Sequence, residues 1–260
     1  MKLANRLALI TGGGRGIGRA IALAYAAEGA DVVVAARTVA QVESVALEIT
    51  NQFPVKALAV PCDVSDVSSV EEMFKQAQQS FGRSPDILVN NAGIAESAPI
   101  TKTDDALWQK HLAINLSGSF YCTRAALPSM IDRGWGRIIN IASIAGKTGA
   151  PYIAAYSASK HGMLGLTRST ALEVAAKGIT ANAICPGYVD TEMTTRGVEN
   201  ITKKTGRSAD EAMAAIRKMS PQNRLVTAEE VAALALLLAS AEGLAINGQA
   251  INVDGGSVLF

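Results

Sequence analysis

Short apolar, β-branched runs alternate with helical patterns along the whole chain, and this alternation limits the possible folds more than any other feature. Strands are expected at Leu7–Thr11, Asp31–Ala36, Ala57–Pro61, Asp86–Asn90, Arg137–Ala142, Ile179–Cys185 and Gln249–Val253. Helices are expected at Ile17–Glu28 (closed by Gly29), Val39–Thr50, Val67–Phe81 (capped by Asp66 or Ser65), Asp104–Arg133, Tyr152–Ala176 (ended by Gly178) and Ala228–Ala239. Serial βαβ units imply parallel strands joined by crossover helices. The chain has 260 residues, 49% hydrophobic and 18% charged, which suits one large α/β domain with a fully covered sheet. The expectation is a single domain, residues 1–260, built on a doubly wound, seven-stranded parallel sheet. Its ligand should lie beyond the carboxyl ends of the strands.

Charge and composition exclude several classes. With 24 basic and 23 acidic residues the net charge is +1, so neither nucleic acid nor an anionic membrane is expected as a partner. Met1–Ile10 is a short polar lead into a strand rather than a signal peptide, and no apolar run reaches the roughly 18 residues of a membrane span. The expected compartment is the cytosol. Cys62, Cys122 and Cys185 are far apart and read as buried free thiols. His111 and His161 pair with no carboxylate at metal-ligand spacing, so no metal is expected. The rhythm breaks once, between Gly187 and Thr227, where only Arg207–Met219 looks helical. Compact domains seldom keep so long an excursion without a function, so residues 188–226 read as a substrate lid, with a plain helical insertion as the alternative.

Tyr156-Ser157-Ala158-Ser159-Lys160 carries the chemistry, with Ser143 thirteen residues upstream at a strand end. A Tyr and a Lys four apart share one helix face. A cation about 4 Å from a phenol, at an effective dielectric of about 20, stabilises phenolate by roughly 4 kcal/mol, about 3 pKa units. Such a phenol is a proton donor that works near neutral pH. Thr11-Gly12-Gly13-Gly14-Arg15-Gly16-Ile17-Gly18 follows a strand and opens a helix, the context a dinucleotide-binding turn requires. Gly12 permits the tight turn; Gly16 and Gly18 let backbone and helix approach a pyrophosphate. Together these features read as carbonyl–alcohol redox with a nicotinamide.

With the Tyr/Lys pair and Ser143, the Gly-x-x-x-Gly-x-Gly spacing resembles the short-chain dehydrogenase/reductase family, over essentially the whole chain. Asn90-Asn91-Ala92-Gly93, Asn115, Pro186-Gly187 and Asp254-Gly255-Gly256 match family motifs in the right order. Asn247 is one departure, where relatives usually carry Thr; it touches packing, not chemistry. The resemblance implies a Rossmann-type fold with Asn115, Ser143, Tyr156 and Lys160 as the catalytic set. Tyr156 would be general acid in reduction and base in oxidation. Lys160 would lower its pKa and bind the nicotinamide ribose, Ser143 would hold the substrate oxygen, and Asn115 would position a water linking Lys160 to solvent. It also implies cofactor contacts at Gly12, Arg15, Gly16, Ile17, Gly18, Arg37, Asp63, Val64, Asn90, Ala92, Gly93, Pro186, Gly187, Val189 and Thr191, besides Tyr156 and Lys160. Asp63 would meet the adenine, with capping of the next helix as the alternative.

Cofactor choice is read at the end of the second strand, where an acid would favour NAD. Ala36 stands there, followed by Arg37, and Arg15 sits inside the glycine loop. Two guanidiniums favour a 2′-phosphate, so NADP(H) is expected over NAD(H), with solvated surface arginines as the alternative. Ile144, Tyr152, Ile153, Tyr188 and Met193 are expected to line a largely apolar substrate pocket. The stretch from Gly146–Gly149 through Ser159–Gly162 resembles ketoreductases of β-ketoacyl thioesters and polyketides, and Ile179–Gly187 also resembles 3-hydroxybutyrate dehydrogenases. Arg133 and Lys177 lie near positions where carrier-protein reductases present basic residues. The expected reaction is reversible NADPH-dependent reduction of a ketone, a β-ketoacyl thioester among the candidates. Its rivals are an NAD-dependent secondary-alcohol or 3-hydroxyacid dehydrogenase and a non-catalytic nucleotide sensor. Relatives pair through long helices and the C-terminal strand, so a homotetramer is expected.

Overall fold

The computed structural model describes residues 1–260. In chain order the elements are β1 (Leu7–Thr11), α1 (Gly16–Ala27), β2 (Asp31–Ala36), α2 (Val39–Gln52), β3 (Ala57–Pro61), α3 (Val67–Phe81), β4 (Ile87–Asn90), α4 (Asp105–His111), α5 (Gly118–Arg133), β5 (Gly136–Ile141), α6 (Ala154–Val174), β6 (Ile179–Pro186), α7 (Glu192–Thr205), α8 (Ala209–Arg217), α9 (Ala228–Ala239) and β7 (Ala250–Val253). All seven strands form one parallel sheet in the order β3-β2-β1-β4-β5-β6-β7. The order reverses between β1 and β4, so the loops after these strands part and leave a crevice at their carboxyl ends.

Strand periodicity divides the core between two faces. Ala8 and Ile10 of β1 pack with Ile21 of α1, Val42 and Ile49 of α2 and Val231 of α9. Leu7 and Leu9 face the other way, with Met73 of α3, Cys122 and Met130 of α5 and Val174 of α6. Asp66 caps α3 by accepting the Ser68 N–H. All three cysteines are free and buried. No helix is long and apolar enough to cross a membrane.

The expected helix Asp104–Arg133 is interrupted. Asp104 caps α4, and a π-helical turn at Leu112–Ser117 separates α4 from α5. Such turns withdraw carbonyls from the α pattern and recur at functional sites. The lid stretch also departs from expectation. It holds two helices, α7 and α8, where the sequence reading found only the second. Val198, Ala212 and Ile216 give it a small core of its own. An isolated bridge, Val189 to Val226, closes its base.

At the opposite end of the sheet, buried Asp86 accepts the Leu7 N–H at 2.9 Å and lies near Arg6, Arg83 and Arg133 at 3.8, 3.4 and 3.5 Å. Arg133 also donates to the Pro85 carbonyl at 2.8 Å. This arginine is therefore engaged within the fold rather than presented free to a carrier protein. Asn247 bridges elements, donating to the Ala171 carbonyl and accepting the Ala181 N–H, which bears out its packing role.

Candidate active site

The glycine turn is built by exclusion of side chains. Gly12 has φ +63°, and a Cβ on Gly18 would lie 2.3 Å from the Gly12 carbonyl oxygen. Asn91 fastens this turn to the loop after β4: its Nδ2 donates to the Thr11 and Gly12 carbonyls at 2.9 and 3.0 Å. Thr11 Oγ1 in turn accepts the N–H groups of Asn91 and Ala92. A Cβ on Gly16 would lie 3.2 Å from Thr191 Cγ2, so the residue four past Gly187 meets the glycine loop in space. The first turn of α1 has no side-chain cap and no acidic residue, leaving its N–H groups suited to an anion. This cradle fits the pyrophosphate of a dinucleotide.

Ser143 ends β5 and opens a 3-10 turn, Ile144–Gly146. That turn presses on α6, since a Cβ on Gly146 would lie 2.9 Å from the Lys160 carbonyl oxygen. Ser157 Oγ ties the turn down by donating to the Ala145 carbonyl at 2.8 Å. Ser143 Oγ accepts the Ala145 N–H at 3.1 Å. The cap uses one lone pair and leaves the hydroxyl proton to donate. Cap and oxyanion donor are thus compatible roles for one serine.

Lys160 is buried, and its Nζ donates to the Ile141 carbonyl at 2.7 Å. Burial pushes its pKa down to about 8. The ammonium lies 5.8 Å from the Tyr156 ring centroid. Burial holds the Tyr156 phenol above its usual range, although its hydrogen bond with Ser143 pulls the other way and nearby Tyr188 adds to the rise. The depressed phenol expected from sequence is therefore corrected: the cation is held on the Ile141 carbonyl, and desolvation dominates. The phenol keeps its proton at neutral pH.

Asn115 sits within the π-helical turn and its side chain makes three hydrogen bonds. Oδ1 accepts the Ile94 N–H at 2.9 Å; Nδ2 donates to the Ile94 carbonyl and to Ser159 Oγ, both at 3.0 Å. Ser159 Oγ itself donates to the Tyr156 carbonyl. Asn115 thus locks the loop after β4 to α6. Gly93 lies against this pair, with Asn115 Oδ1 at 3.3 Å and Lys160 Nζ at 3.7 Å from where its Cβ would be.

Several expected contacts are set differently. The Asn90 side chain is buried and donates to Thr123 Oγ1 and Asn140 Oδ1. Val64 packs against Gly118. Asp63 does not cap α3. Burial works to raise its pKa, but hydrogen bonds from the Ser65 hydroxyl and N–H, with the Arg37 charge, hold the carboxyl below its ordinary range. Arg37 lies 4.0 Å from Asp63, and Arg15 is paired with Glu192 at the start of α7. Both guanidiniums expected at a 2′-phosphate thus have carboxylate partners. Tyr152 adopts φ +70° and is 64% exposed; Tyr188 and Met193 are about half exposed, so these expected lining residues present apolar surface. Sequence reasoning missed Ser157, Ser159, Glu192 and His111. The two serines lay inside the quoted motif, and the other two carried no local signal.

Residues 6–202 match the family model described as short chain dehydrogenase. The chain is 40% identical to the D-beta-hydroxybutyrate dehydrogenase of Cupriavidus necator, covering 98% of this chain and 99% of that protein. It is 39% identical to the 3-oxoacyl-[acyl-carrier-protein] reductase of a Synechocystis species, covering 99% of each. A solved actinorhodin polyketide ketoreductase with NADPH superimposes with a TM-score of 0.94 at 37% identity, over 98% of both chains. With a nicotinamide dinucleotide turn, a protonated tyrosine beside a serine and lysine, and this extent of likeness, the chain belongs to the short-chain dehydrogenase family and is an oxidoreductase that interconverts carbonyl and alcohol groups with NAD(P).

Proposed function

We propose that this protein reduces a ketone to a secondary alcohol with NADPH, reversibly, and that Tyr156 supplies the proton. The observation that carries this reading is a protonated phenol within hydrogen-bonding reach of a serine hydroxyl that keeps its proton as a donor. The nicotinamide, when bound, supplies hydride to the carbonyl carbon. Ser143 donates a hydrogen bond to the carbonyl oxygen and strengthens it as negative charge develops. Tyr156 passes its phenolic proton to that oxygen. Lys160 sits behind the phenol as an ammonium and stabilises the phenolate left behind. Arg15 and Arg37 are the groups that would take the 2′-phosphate of NADPH, exchanging weak exposed carboxylate partners for it. Gly12, Gly16, Gly18, Asp63, Ala92, Gly93, Pro186, Gly187, Val189 and Thr191 would line the rest of the cofactor's path.

Tyr152, Tyr188 and Met193, with Ile144 and Ile153, favour a substrate with an apolar body, a β-ketoacyl thioester among the candidates. A panel of ketones and thioesters assayed with both cofactors tests the reading. Turnover of one panel member is expected, and NADPH-bound protein that turns over none would favour the non-catalytic sensor. We read the protein as cytosolic, a placement that expression as a fluorescent fusion with fractionation would check.

Residues 188–226 act in this reading as a lid. Asn200 Nδ2 donates to Ser97 Oγ at 3.0 Å and Lys204 Nζ to the Ser97 carbonyl at 3.1 Å, while Glu192 holds Arg15 of the glycine loop. Both sides of the crevice are thus tied to the same segment. Hydrogen exchange within 188–226 is expected to slow when cofactor and substrate bind together, and unchanged protection at saturation would make the segment mere structure. Exposed apolar residues on α4 to α6 (Trp108, Phe120, Ile131, Leu172) and at Leu259 and Phe260 support a homotetramer. Light scattering is expected to give four copies; a stable monomer would refute it.

A further inference from the structure

His111 closes α4, one residue before the π-helical turn that carries Asn115, and it is completely buried. Its Nδ1 lies 2.9 Å from the Leu107 carbonyl oxygen, and its Nε2 lies 3.1 Å from the Glu96 N–H. The partners dictate the tautomer. A carbonyl can only accept, so Nδ1 carries the proton; an amide N–H can only donate, so Nε2 is the acceptor. The imidazole is therefore neutral, with both nitrogens committed to backbone. Its ring meets the Tyr156 ring edge-on, with centroids 6.4 Å apart and planes at 77°.

The loop that His111 holds is a junction. Ile94 is clamped by Asn115, Ser97 is held by Asn200 and Lys204 of the lid, and the Ala98 N–H donates to the carbonyl of Tyr152 just ahead of α6. His111 touches both this junction and the ring of Tyr156. An apolar residue in its place would fill the space but leave the Glu96 N–H without its acceptor.

We propose that His111 is a positioning residue for the proton transfer: its ring edge sets the Tyr156 ring, and its Nε2 fixes the Gly93–Pro99 loop beside which the ketone must approach. The proposal rests on the reading of Tyr156 as the proton donor. Its two functions are separable. His111→Phe keeps an aromatic edge against Tyr156 and removes the acceptor for Glu96. His111→Gln places a carbonyl oxygen near the former Nε2 and removes the ring. His111→Ala removes both.

A misplacement of about 1 Å can cost about 10²-fold, so His111→Ala is expected to lower kcat/KM for the ketone by about tenfold to 10²-fold. His111→Phe should raise KM and leave kcat close to wild type, whereas His111→Gln should restore KM and retain a kcat defect. NADPH affinity, followed by fluorescence titration, should stay within about twofold in all three, because the contacts of His111 are to Glu96, Leu107 and Tyr156 and not to the glycine turn or Arg37. Wild-type kcat and KM in His111→Ala would overturn the proposal. So would parallel losses of NADPH affinity, KM and kcat that neither Phe nor Gln separates, since that is the mark of a merely structural residue. If the variants do not fold, nitrogen-15 spectra of the wild-type histidines decide, the second histidine being identified with His161→Gln. A neutral, Nδ1-protonated ring is expected for His111; an Nε2-protonated ring would overturn the proposal. Retained turnover in Tyr156→Phe would remove the reading beneath it, whereas silent His111 variants with Tyr156 still required would remove this inference alone.

Discussion

Replacing Tyr156 with Phe is expected to lower ketone reduction by about 10²–10⁴-fold, the usual share of a positioned acid, while NADPH still binds. The ring survives, and with it the edge contact to His111. What is lost is the proton that must reach the carbonyl oxygen. The wild-type pH profile is the companion measurement. Burial holds the phenol protonated and pushes Lys160 down to about 8. Raising pH through about 8 therefore takes a proton from the Lys160–Tyr156 pair, first from the buried ammonium. Reduction needs the fully protonated pair, so kcat/KM for the ketone should fall above that pH, towards about tenfold per unit. Oxidation of the alcohol needs a phenolate to accept a proton, and because burial holds the phenol above its ordinary range, its rise should come at higher pH than the fall in reduction. Tyr156→Phe should flatten the profile of whatever activity remains. Near-normal turnover in that variant, or wild-type reduction that climbs with pH, would refute the assignment.

The fold was legible because a buried parallel sheet writes itself in short apolar runs, and each of the seven expected strands agrees with the structure to within a residue or two. Tyr156, Lys160 and Ser143 were legible as a candidate set because two lie on a helix at i and i+4 and one at a strand end, where spacing fixes geometry, whereas Asn115 came only from the family resemblance. What spacing does not encode is environment. The sign of the Tyr156 shift depends on how much protein covers the phenol and on the carbonyl of Ile141 that holds Lys160, both set by tertiary packing. α7 went unread because most of its residues are polar, and the face it turns inward, Thr194, Val198 and Ile201, is short. The π-helical turn adds one residue to a helical period and leaves the apolar pattern of Asp104–Arg133 nearly intact. Tyr152 gave no sign of its positive φ, which glycine would have announced. A lone histidine on a helix says nothing of a loop fifteen residues away, so His111 emerged only from contacts.

Wild-type protein is expected to prefer NADPH over NADH by about 10²–10⁴-fold, since a charge-assisted contact contributes roughly 1.5–3 kcal/mol and two guanidiniums are available. The structure moves this towards the lower end of that range. Arg15 pairs with Glu192 and Arg37 lies 4.0 Å from Asp63, so a 2′-phosphate must displace or share these partners. Exposed pairs of this kind contribute about 0–1 kcal/mol, less than a phosphate dianion offers, so the phosphate still wins. Salt weakens both competitors, and the preference should shrink as ionic strength rises. Ala36 ends β2, paired with Pro61, and has no carboxylate for the ribose hydroxyls of NADH. The double variant Ala36→Asp with Arg37→Leu adds that acceptor and removes one phosphate donor. It also leaves the new carboxylate near Asp63, so two negative charges would face a 2′-phosphate with only Arg15 to offset them. Preference should therefore reverse, read as kcat/KM with each cofactor in wild type and variant. A wild-type preference for NADH would mean that both arginines serve their carboxylates alone, and the end of β2 would then have to bind the adenine ribose without an acid.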